Sequence, residues 1–182
     1  MSAQPVTTWY LEQLDPALLR RSRVPEPAPV IVRAEIPSPA LNRYLYTSVG
    51  GAWHWIDRLS WTWDRWMQWL ARPELQTWVM YVAGTPVGYV ELEKQAGDDL
   101  EIAYFGVAPP FIGRKLGGHL LSVGLERAWE MGARRVWVHT CSLDHPAALA
   151  NYQARGMTLY REEIVLKEVG ETPGPWPGAQ AP

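Results

Sequence analysis

Cysteine is nearly absent from this sequence of 182 residues, which contains only Cys141. A single cysteine excludes the internal disulfide framework of a small secreted protein. Long apolar runs are also missing, and none approaches the roughly 18–20 residues that span a bilayer. The amino-terminal sequence MSAQPVTTWYLEQL lacks the basic-then-apolar order of a signal peptide. These absences predict a cytoplasmic protein without a membrane partner.

The sequence also lacks an excess of charge of either sign. Its 17 Lys and Arg residues are balanced by 19 Asp and Glu residues, which gives a net charge of −2. Such a chain has no general electrostatic attraction to a phosphate backbone, so we expect no nucleic-acid partner. The length is sufficient for one domain with its own hydrophobic core and too short for two domains of ordinary size.

Tryptophan is the residue type in excess, with 11 in the chain. Seven of them lie between Trp53 and Trp78, so the excess is regional. Indole rings bury large areas and commonly fill a core. A cluster of them can equally form the wall of an aromatic pocket. Both interpretations stay open at this point.

The first half of the sequence predicts one strand and two helices. Thr7–Leu14 is predicted to be a strand, and the proline-rich segment Val24–Pro39 an extended connection. Ser38-Pro39 is typical of a helix start, and Gly50-Gly51 of a helix end. After a loop, Thr62 is predicted to cap a short helix with one face formed by Trp63, Trp66, Trp69 and Leu70.

The second half predicts strands alternating with helices. Three successive strands, at residues 77–83, 86–94 and 100–107, are joined by tight turns. A helix then ends at Gly132, and the strand Arg135–Cys141 follows. A helix at Pro146–Arg155 precedes one or two strands in Thr158–Leu166. An antiparallel meander followed by a strand–helix–strand unit predicts one α/β domain with a mixed sheet and helices on both faces.

The loop before the helix that ends at Gly132 is suited to an anion. It reads FGVAPPFIGRKLGGHLL over Phe105–Leu121. The first backbone N–H groups of a helix lack internal partners, and the helix dipole favours negative charge there. Glycine lets a phosphate approach the backbone, and Arg114 and Lys115 add positive charge. The loop has neither the dinucleotide-binding nor the Walker spacing of glycines.

The order of elements around this loop resembles the GNAT acetyltransferase superfamily. That family carries the loop [Arg/Gln]-x-x-Gly-x-[Gly/Ala] after its fourth strand. Here the frame falls on Ile112–Gly117, so Ile112 and Lys115 depart from it and Gly117 matches. HPAALANYQARGM, at His145–Met157, is similar to the N-x-x-A-x-x-x-Y-x-x-x-G ending of the family. The resemblance covers roughly Thr77–Leu166.

The resemblance implies an N-acetyltransferase that uses acetyl-CoA as co-substrate and needs no metal. It implies a V-shaped gap between the strands Leu100–Val107 and Arg135–Cys141. Glu101 is implied as the general base and Tyr152 as the acid beside the sulfur. Glu101 can instead be a solvated strand carboxylate, and Tyr152 an aromatic residue packing on the sheet. The implied cofactor contacts are Phe105, Gly106, Val107, Gly113, Arg114, Lys115, Leu116, Gly117, Gly118 and His145.

One departure from the family motif has an energetic consequence. If the position of Lys115 needs a positive φ, lysine would cost about 1 kcal/mol there. Contact between its ammonium group and a phosphate would offset that cost.

The acceptor is expected to bind in the first part of the domain. We divide the domain, residues 1–169, into acceptor-side elements at 1–75 and an acetyl-CoA-binding core at 76–168, followed by a disordered tail at 170–182. The candidate acceptor contacts are Tyr46, Trp53, Trp55 and Glu91, with Glu91 and Glu93 as alternative bases. Aromatic faces favour a small, partly aromatic or apolar amine. A homodimer is one option for its assembly.

Other functions remain open from the sequence. A GNAT-like domain could bind acyl-CoA as a sensor without turnover. A non-enzymatic aromatic-rich module could bind a peptide or single-stranded nucleic acid, although the net charge of −2 argues against this. His139, Cys141 and His145 together supply only three metal ligands, at a spacing unlike that of the common zinc sites. We therefore predict that they line the cleft and bind no metal.

Overall fold

The computed structural model describes residues 3–179 and contains a seven-stranded sheet with four α-helices. The strands are β1 (Ala3–Gln13), β2 (Val30–Arg33), β3 (Leu75–Val82), β4 (Thr85–Lys94), β5 (Asp99–Val107), β6 (Arg135–Cys141) and β7 (Thr158–Glu168). The helices are α1 (Pro39–Gly50), α2 (Trp63–Leu70), α3 (Leu116–Glu130) and α4 (Ala148–Ala154). Within the described residues, no helix combines the length and apolarity that crossing a membrane requires.

The sheet is mixed, as the sequence predicted. Its order is β2-β3-β4-β5-β6-β1-β7, and β3, β4 and β5 form the expected antiparallel meander. Only β5 and β6 pair in parallel; the other neighbouring strands are antiparallel. The predicted α/β architecture with a mixed sheet is therefore confirmed.

Two features of the sheet were not predicted from the sequence. The proline-rich segment contains the edge strand β2, which pairs with Trp78–Tyr81 of β3. This is compatible with the composition because the prolines lie outside Val30–Arg33, where backbone N–H groups are needed. In addition, β1 lies between β6 and β7 and pairs with both of them.

The two early helices begin where their caps predict. The Ser38 hydroxyl accepts a hydrogen bond from the N–H of Leu41 at 3.3 Å, and Pro39 occupies the first turn. The Thr62 hydroxyl accepts one from the N–H of Arg65 at 3.3 Å. The predicted face of α2 is only partly correct, because Trp66 is buried whereas Trp63 is exposed.

Helices cover both faces of the sheet, as expected. On one face, α3 and α4 pack on the strands through a cluster that includes Leu120, Leu121, Leu125 and Tyr152. On the other face, α1 and α2 pack through Leu45, Val49, Tyr46 and Trp66. The two helix layers contact adjacent positions of β4 and β5 from opposite faces. Gly124 of α3 lies against Val90 of β4, and Val49 of α1 lies against Gly106 of β5. The central strands β4 and β5 are therefore covered on both sides.

The tail was expected to be disordered from residue 170 onwards. Residues 170–179 contain no helix or strand, but Gly174 donates a backbone hydrogen bond to the carbonyl of Gly51 at 3.0 Å. The carbonyl oxygen of Gly170 also lies 3.0 Å from Nε2 of His54. The structure thus places these two residues beside the loop that carries Gly51 and His54. Residues 180–182 of the predicted tail, and residues 1 and 2 of the predicted domain, lie outside the described residues.

Candidate active site

The parallel strands β5 and β6 separate in the middle of the sheet. They pair only through Asp99–Arg135, Leu100–Val136 and Glu101–Trp137. Beyond Glu101, β5 continues to Val107 and β6 to Cys141 without pairing between them. A cavity of about 1010 Å³ opens at this point. The gap lies between the two strands for which the sequence resemblance implied it.

A β-bulge marks the start of the gap. The pairing of β4 with β5 shifts from Leu92–Ile102 to Glu91–Tyr104, so that Ala103 has no partner. The extra residue reverses the alternation of side chains along β5. Glu101 and Tyr104 consequently share one face of the strand, although they are three residues apart. The bulge thus brings a carboxylate and a phenol to the same side of the cavity.

The loop before α3 has the backbone geometry that suits a phosphate. Gly113 has φ 85°, and Lys115, at the cap position of α3, has φ 62°. The positive φ considered for Lys115 is therefore present. Leu116, Gly117 and Gly118 then form the first turn, where backbone N–H groups lack intrahelical acceptors. The residues present fit the anionic end of CoA.

Gly117 and Gly118 serve different purposes. A Cβ atom on Gly117 would meet nothing closer than 3.8 Å, so its backbone is open to the cavity that it lines. A Cβ atom on Gly118 would lie 2.7 Å from Nη1 of Arg155 and 2.8 Å from the Ser22 hydroxyl. Gly117 therefore leaves room for a ligand, whereas Gly118 lets Ser22 and Arg155 of the same chain pack closely against α3.

Most of the predicted cofactor residues line the cavity, namely Phe105, Gly106, Val107, Gly113, Lys115, Leu116, Gly117, Gly118 and His145. Arg114 does not line it. The Arg114 guanidinium instead lies over the ring of Phe111, 5.2 Å from its centroid. Phe111 itself lines the cavity, so the Arg114 guanidinium lies beside the cavity wall but not in it. The predicted direct contact of Arg114 with CoA is therefore not supported by the lining residues.

Glu101 is the last residue of β5 that pairs with β6, and it lines the cavity. Its Oε1 is 3.4 Å from Nδ1 of His139 on β6, and its Oε2 accepts a hydrogen bond from Gln95 at 2.8 Å. The hydrogen bond to Glu101, with added attraction from the Asp144 and Asp57 carboxylates, raises the pKa of His139 despite partial burial. The Glu101–His139 pair was not predicted, although the parallel alignment of β5 and β6 would have suggested it.

Tyr152 lies on α4 and also lines the cavity. Its ring packs edge-on against Phe105, with 5.8 Å between centroids. Burial raises the pKa of Tyr152 well above its ordinary value. The phenol therefore stays protonated and can donate a hydrogen bond, but it releases its proton less readily than an ordinary tyrosine.

Two predicted acceptor contacts line the cavity and two do not. Trp53 and Trp55 line it, and the Trp55 indole donates a hydrogen bond to Asp144 at 3.3 Å. Tyr46 and Glu91 are buried, with exposed fractions of 1% and 0%. They lie behind the cavity wall in a layer of aromatic rings, so their positions do not fit contact with an acceptor. Both aromatic interpretations hold for different members of the tryptophan cluster.

Glu91 forms a buried ion pair that was not predicted. Its Oε1 lies 2.8 Å from Nη1 of Arg58 and accepts a hydrogen bond from the Trp69 indole at 2.8 Å. The Arg58 guanidinium sits over four rings, those of Trp61, Trp66, Trp69 and Tyr104. This pairing leaves Glu91 unsuited to act as a base. Glu93 lines the cavity but is paired with Arg72 at 2.7 Å.

The tail and the end of β7 complete the cavity wall. Lys167, Glu168, Val169 and Gly170 line it, next to the loop that carries Trp53 and His54. Cys141 also lines it, and burial raises the pKa of its thiol, which disfavours a nucleophilic thiolate. Among residues 3–179 there is no cluster of His, Cys, Asp and Glu that could hold a metal ion.

Comparison with known proteins gives a consistent picture. Residues 41–157 match the model of the acetyltransferase (GNAT) family. A mycothiol acetyltransferase of Corynebacterium efficiens is 28% identical over 124 residues, which are 64% of this chain and 40% of that protein. The chain thus spans well under two thirds of that relative.

Solved structures share the fold. A GCN5-related N-acetyltransferase from Sphaerobacter thermophilus superposes with a TM-score of 0.63 and 22% identity, over 91% of this chain and 52% of the other. One from Kribbella flavida superposes with a TM-score of 0.66 and 16% identity, over 93% and 61%. With the family match over most of its core and this fold, the chain belongs to the GNAT family of acetyltransferases.

Proposed function

We propose that this protein transfers an acetyl group from acetyl-CoA to the primary amine of a small acceptor, by direct attack in a ternary complex. The observation that carries the proposal is the separation of β5 and β6 beyond Glu101 and Trp137. The cavity that opens there is continuous from the first turn of α3 to the Glu101–His139 pair. The end at α3 can thus bind an anion, and the end at Glu101 and His139 carries groups that can transfer a proton.

The proposed cofactor site uses backbone groups that have no partner in the sheet. The edge of β5 that faces β6 is unpaired from Ile102 to Val107. Buried N–H and C=O groups need hydrogen-bonding partners, and the amide groups of a pantetheine arm can supply them. The first turn of α3 and the Lys115 ammonium would hold the phosphates. The thioester supplies an activated acetyl group.

Glu101 is proposed to receive the proton of the acceptor amine. Most alkylamines are protonated near neutral pH and must lose a proton before they attack. The carboxylate faces the cavity, and His139 beside it can pass the proton to solvent when its imidazole is neutral. Tyr152 is proposed to donate a hydrogen bond to the departing thiolate, which leaves readily because its thiol has an ordinary pKa near 8.5 and takes its proton from solvent. Trp53 and Trp55 offer aromatic faces to the acceptor.

Calorimetric titration with acetyl-CoA tests the proposal, with desulfo-CoA and ATP as controls. We expect saturable binding that is strongly weakened by Gly117→Leu, because that side chain would fill the open space in the first turn of α3. His119→Leu, on the same helix but away from the cavity lining, is the matched control and should bind normally. A screen of small amines for acetyl transfer follows.

No binding at millimolar acetyl-CoA would contradict the proposed function. Acetyl-CoA binding without acetyl transfer to any amine would instead indicate an acyl-CoA-binding sensor. In that case Glu101→Gln and Tyr152→Phe should leave the acetyl-CoA affinity unchanged.

A further inference from the structure

We propose that Asp57 binds the ammonium group of the acceptor and thereby selects cationic substrates. This inference rests on the proposed function and names a residue that neither the family motifs nor the tryptophan pattern indicates. Asp57 lies in the loop between α1 and α2, next to Trp55, and its carboxylate lines the cavity. It is exposed, so that a ligand in the cavity can reach it.

Two tyrosines hold the Asp57 carboxylate in place. The Tyr46 hydroxyl donates a hydrogen bond to Oδ1 at 2.7 Å, and the Tyr104 hydroxyl donates one to Oδ2. Each carboxylate oxygen can accept a further hydrogen bond. Burial, and then the hydrogen bond to Asp57, raise the pKa of Tyr46 above its ordinary value, so the phenol stays a donor. The carboxylate is thus oriented before a ligand arrives.

Within residues 3–179, no cationic side chain pairs directly with this carboxylate. Among the described residues, Lys, Arg and His nitrogens form no ion pair with Asp57 within 4.0 Å. The adjacent Arg58, which also lines the cavity, pairs with Glu91 at 2.8 Å and forms no ion pair with Asp57. The Asp57 carboxylate is therefore open to an ion pair with a ligand.

Two other carboxylates that line the cavity, those of Asp144 and Glu101, already have partners. Asp144 accepts hydrogen bonds from the Thr140 hydroxyl and the Cys141 N–H, each at 2.8 Å, and from the Trp55 indole. Glu101 is paired with His139. The charge of Asp57 contributes to the raised pKa of His139, after the larger contribution of Glu101. Asp57 therefore acts on the same part of the cavity as the proposed base.

Aromatic rings complete the environment of the bound cation. The indoles of Trp53 and Trp55 line the cavity beside Asp57, and Tyr104 lies under it. Ring faces attract ammonium ions, and a carboxylate between them adds a directional hydrogen-bond acceptor. The combination fits a primary alkylammonium group attached to an apolar or aromatic body.

Calorimetry with two probes tests the inference without requiring turnover. The CoA-saturated protein is titrated with benzylammonium chloride and with its uncharged isostere benzyl alcohol. We expect the wild-type protein to prefer the ammonium by at least about tenfold, as one charge-assisted contact supplies. Asp57→Asn should abolish that preference and leave the affinities for benzyl alcohol and acetyl-CoA unchanged.

The control is Asp64→Asn, which removes a carboxylate on α2 outside the cavity lining and should leave the preference intact. Equal affinity of the wild-type protein for both probes, or an unchanged preference in Asp57→Asn, would overturn the inference. If Asp57→Asn does not fold, equal affinity of the wild-type protein for the two probes still overturns the inference. Failure of the protein to bind acetyl-CoA would refute the proposed function, a separate result that is measured first.

Discussion

Glu101 and His139 face each other where the parallel strands cease to pair, with 3.4 Å between the carboxylate Oε1 and the imidazole Nδ1. The two residues come from strands that are far apart in the sequence. The pairing of Glu101 with Trp137, two residues before His139, brings them together. A carboxylate supports the charged form of an imidazole, which explains the raised pKa of His139. Several measurable consequences follow from this and the neighbouring contacts.

Glu101→Gln should lower the pKa of His139 towards its ordinary value of about 6.5. The neutral amide no longer favours the imidazolium. Titration of the histidine signals by NMR measures the change, and His119, which lies outside the cavity, serves as the internal control. A His139 pKa that does not move would contradict the assigned pair.

The same pair affects stability in a definite direction. Because folding raises the pKa of His139, its contribution is fully present below the unfolded pKa and is lost as pH rises through the folded pKa. The imidazole is half exposed, so the contribution should be less than about 1 kcal/mol. Glu101→Gln should remove this pH dependence from the free energy of unfolding, measured by urea denaturation.

Tyr152→Phe should lower kcat about 10- to 100-fold, a modest effect for a hydrogen-bond donor because a thiolate leaves readily. The phenyl ring preserves the contact with Phe105, so the fold and the affinity for acetyl-CoA should not change. Steady-state kinetics and calorimetry separate the two effects. An unchanged kcat would assign Tyr152 a packing role.

Lys115→Gly should have opposite effects on stability and on cofactor binding. Glycine adopts φ 62° without strain, so the variant should be about 1 kcal/mol more stable to urea. It also removes an ammonium group from the cavity lining, so acetyl-CoA should bind more weakly. Lys115→Ala isolates the loss of charge, because it keeps the strain. Equal binding by all three proteins would exclude a contact between Lys115 and the phosphates.

Arg58→Met should destabilise the fold by about 3–5 kcal/mol, because it leaves the Glu91 carboxylate buried without its partner. The double variant Arg58→Met, Glu91→Gln should cost clearly less than the sum of the single changes. Urea denaturation of the four proteins gives the coupling energy. Additive costs would show that the two side chains do not stabilise each other.

A chain that ends at Val169 should bind the acceptor more weakly and bind acetyl-CoA normally. The removed residues contact the loop of Gly51 and His54 beside the acceptor end of the cavity. We expect the KM for the acceptor to rise about 3- to 10-fold as ordered contacts are lost. A chain that ends at Pro175 retains both hydrogen bonds and is the control. The same KM in both chains would contradict a role of the tail in the cavity.

Local signals explain what could be predicted from the sequence. The caps at Ser38 and Thr62 act within one turn, so their residues identify the helix starts without knowledge of the rest of the chain. The glycines before α3 likewise indicate a local backbone requirement, which Gly113 shows directly. The family match then indicated where β5 and β6 should separate.

Non-local contacts explain what could not be predicted. The strand β2 forms because β3 offers it an edge, and no residue in Val30–Arg33 indicates that partner. Tyr46 and Glu91 were assigned to the acceptor because residue type does not reveal depth in a layered aromatic cluster. Asp57 carries no motif, and its place depends on hydrogen bonds from an α1 residue and a β5 residue.

The position of β1 in the sheet bears on how the protein is made. Thr8 pairs with Cys141 and Ala3 with Glu168, so this first strand finds its neighbours only after the ribosome has supplied nearly all the other elements. Pairing across such long loops carries a high entropic cost and slows folding. Val6 and Leu11, which end up fully buried, must wait exposed until then. We therefore expect β1 and β7 to join the sheet last, because β7 pairs with β1 alone in the described sheet.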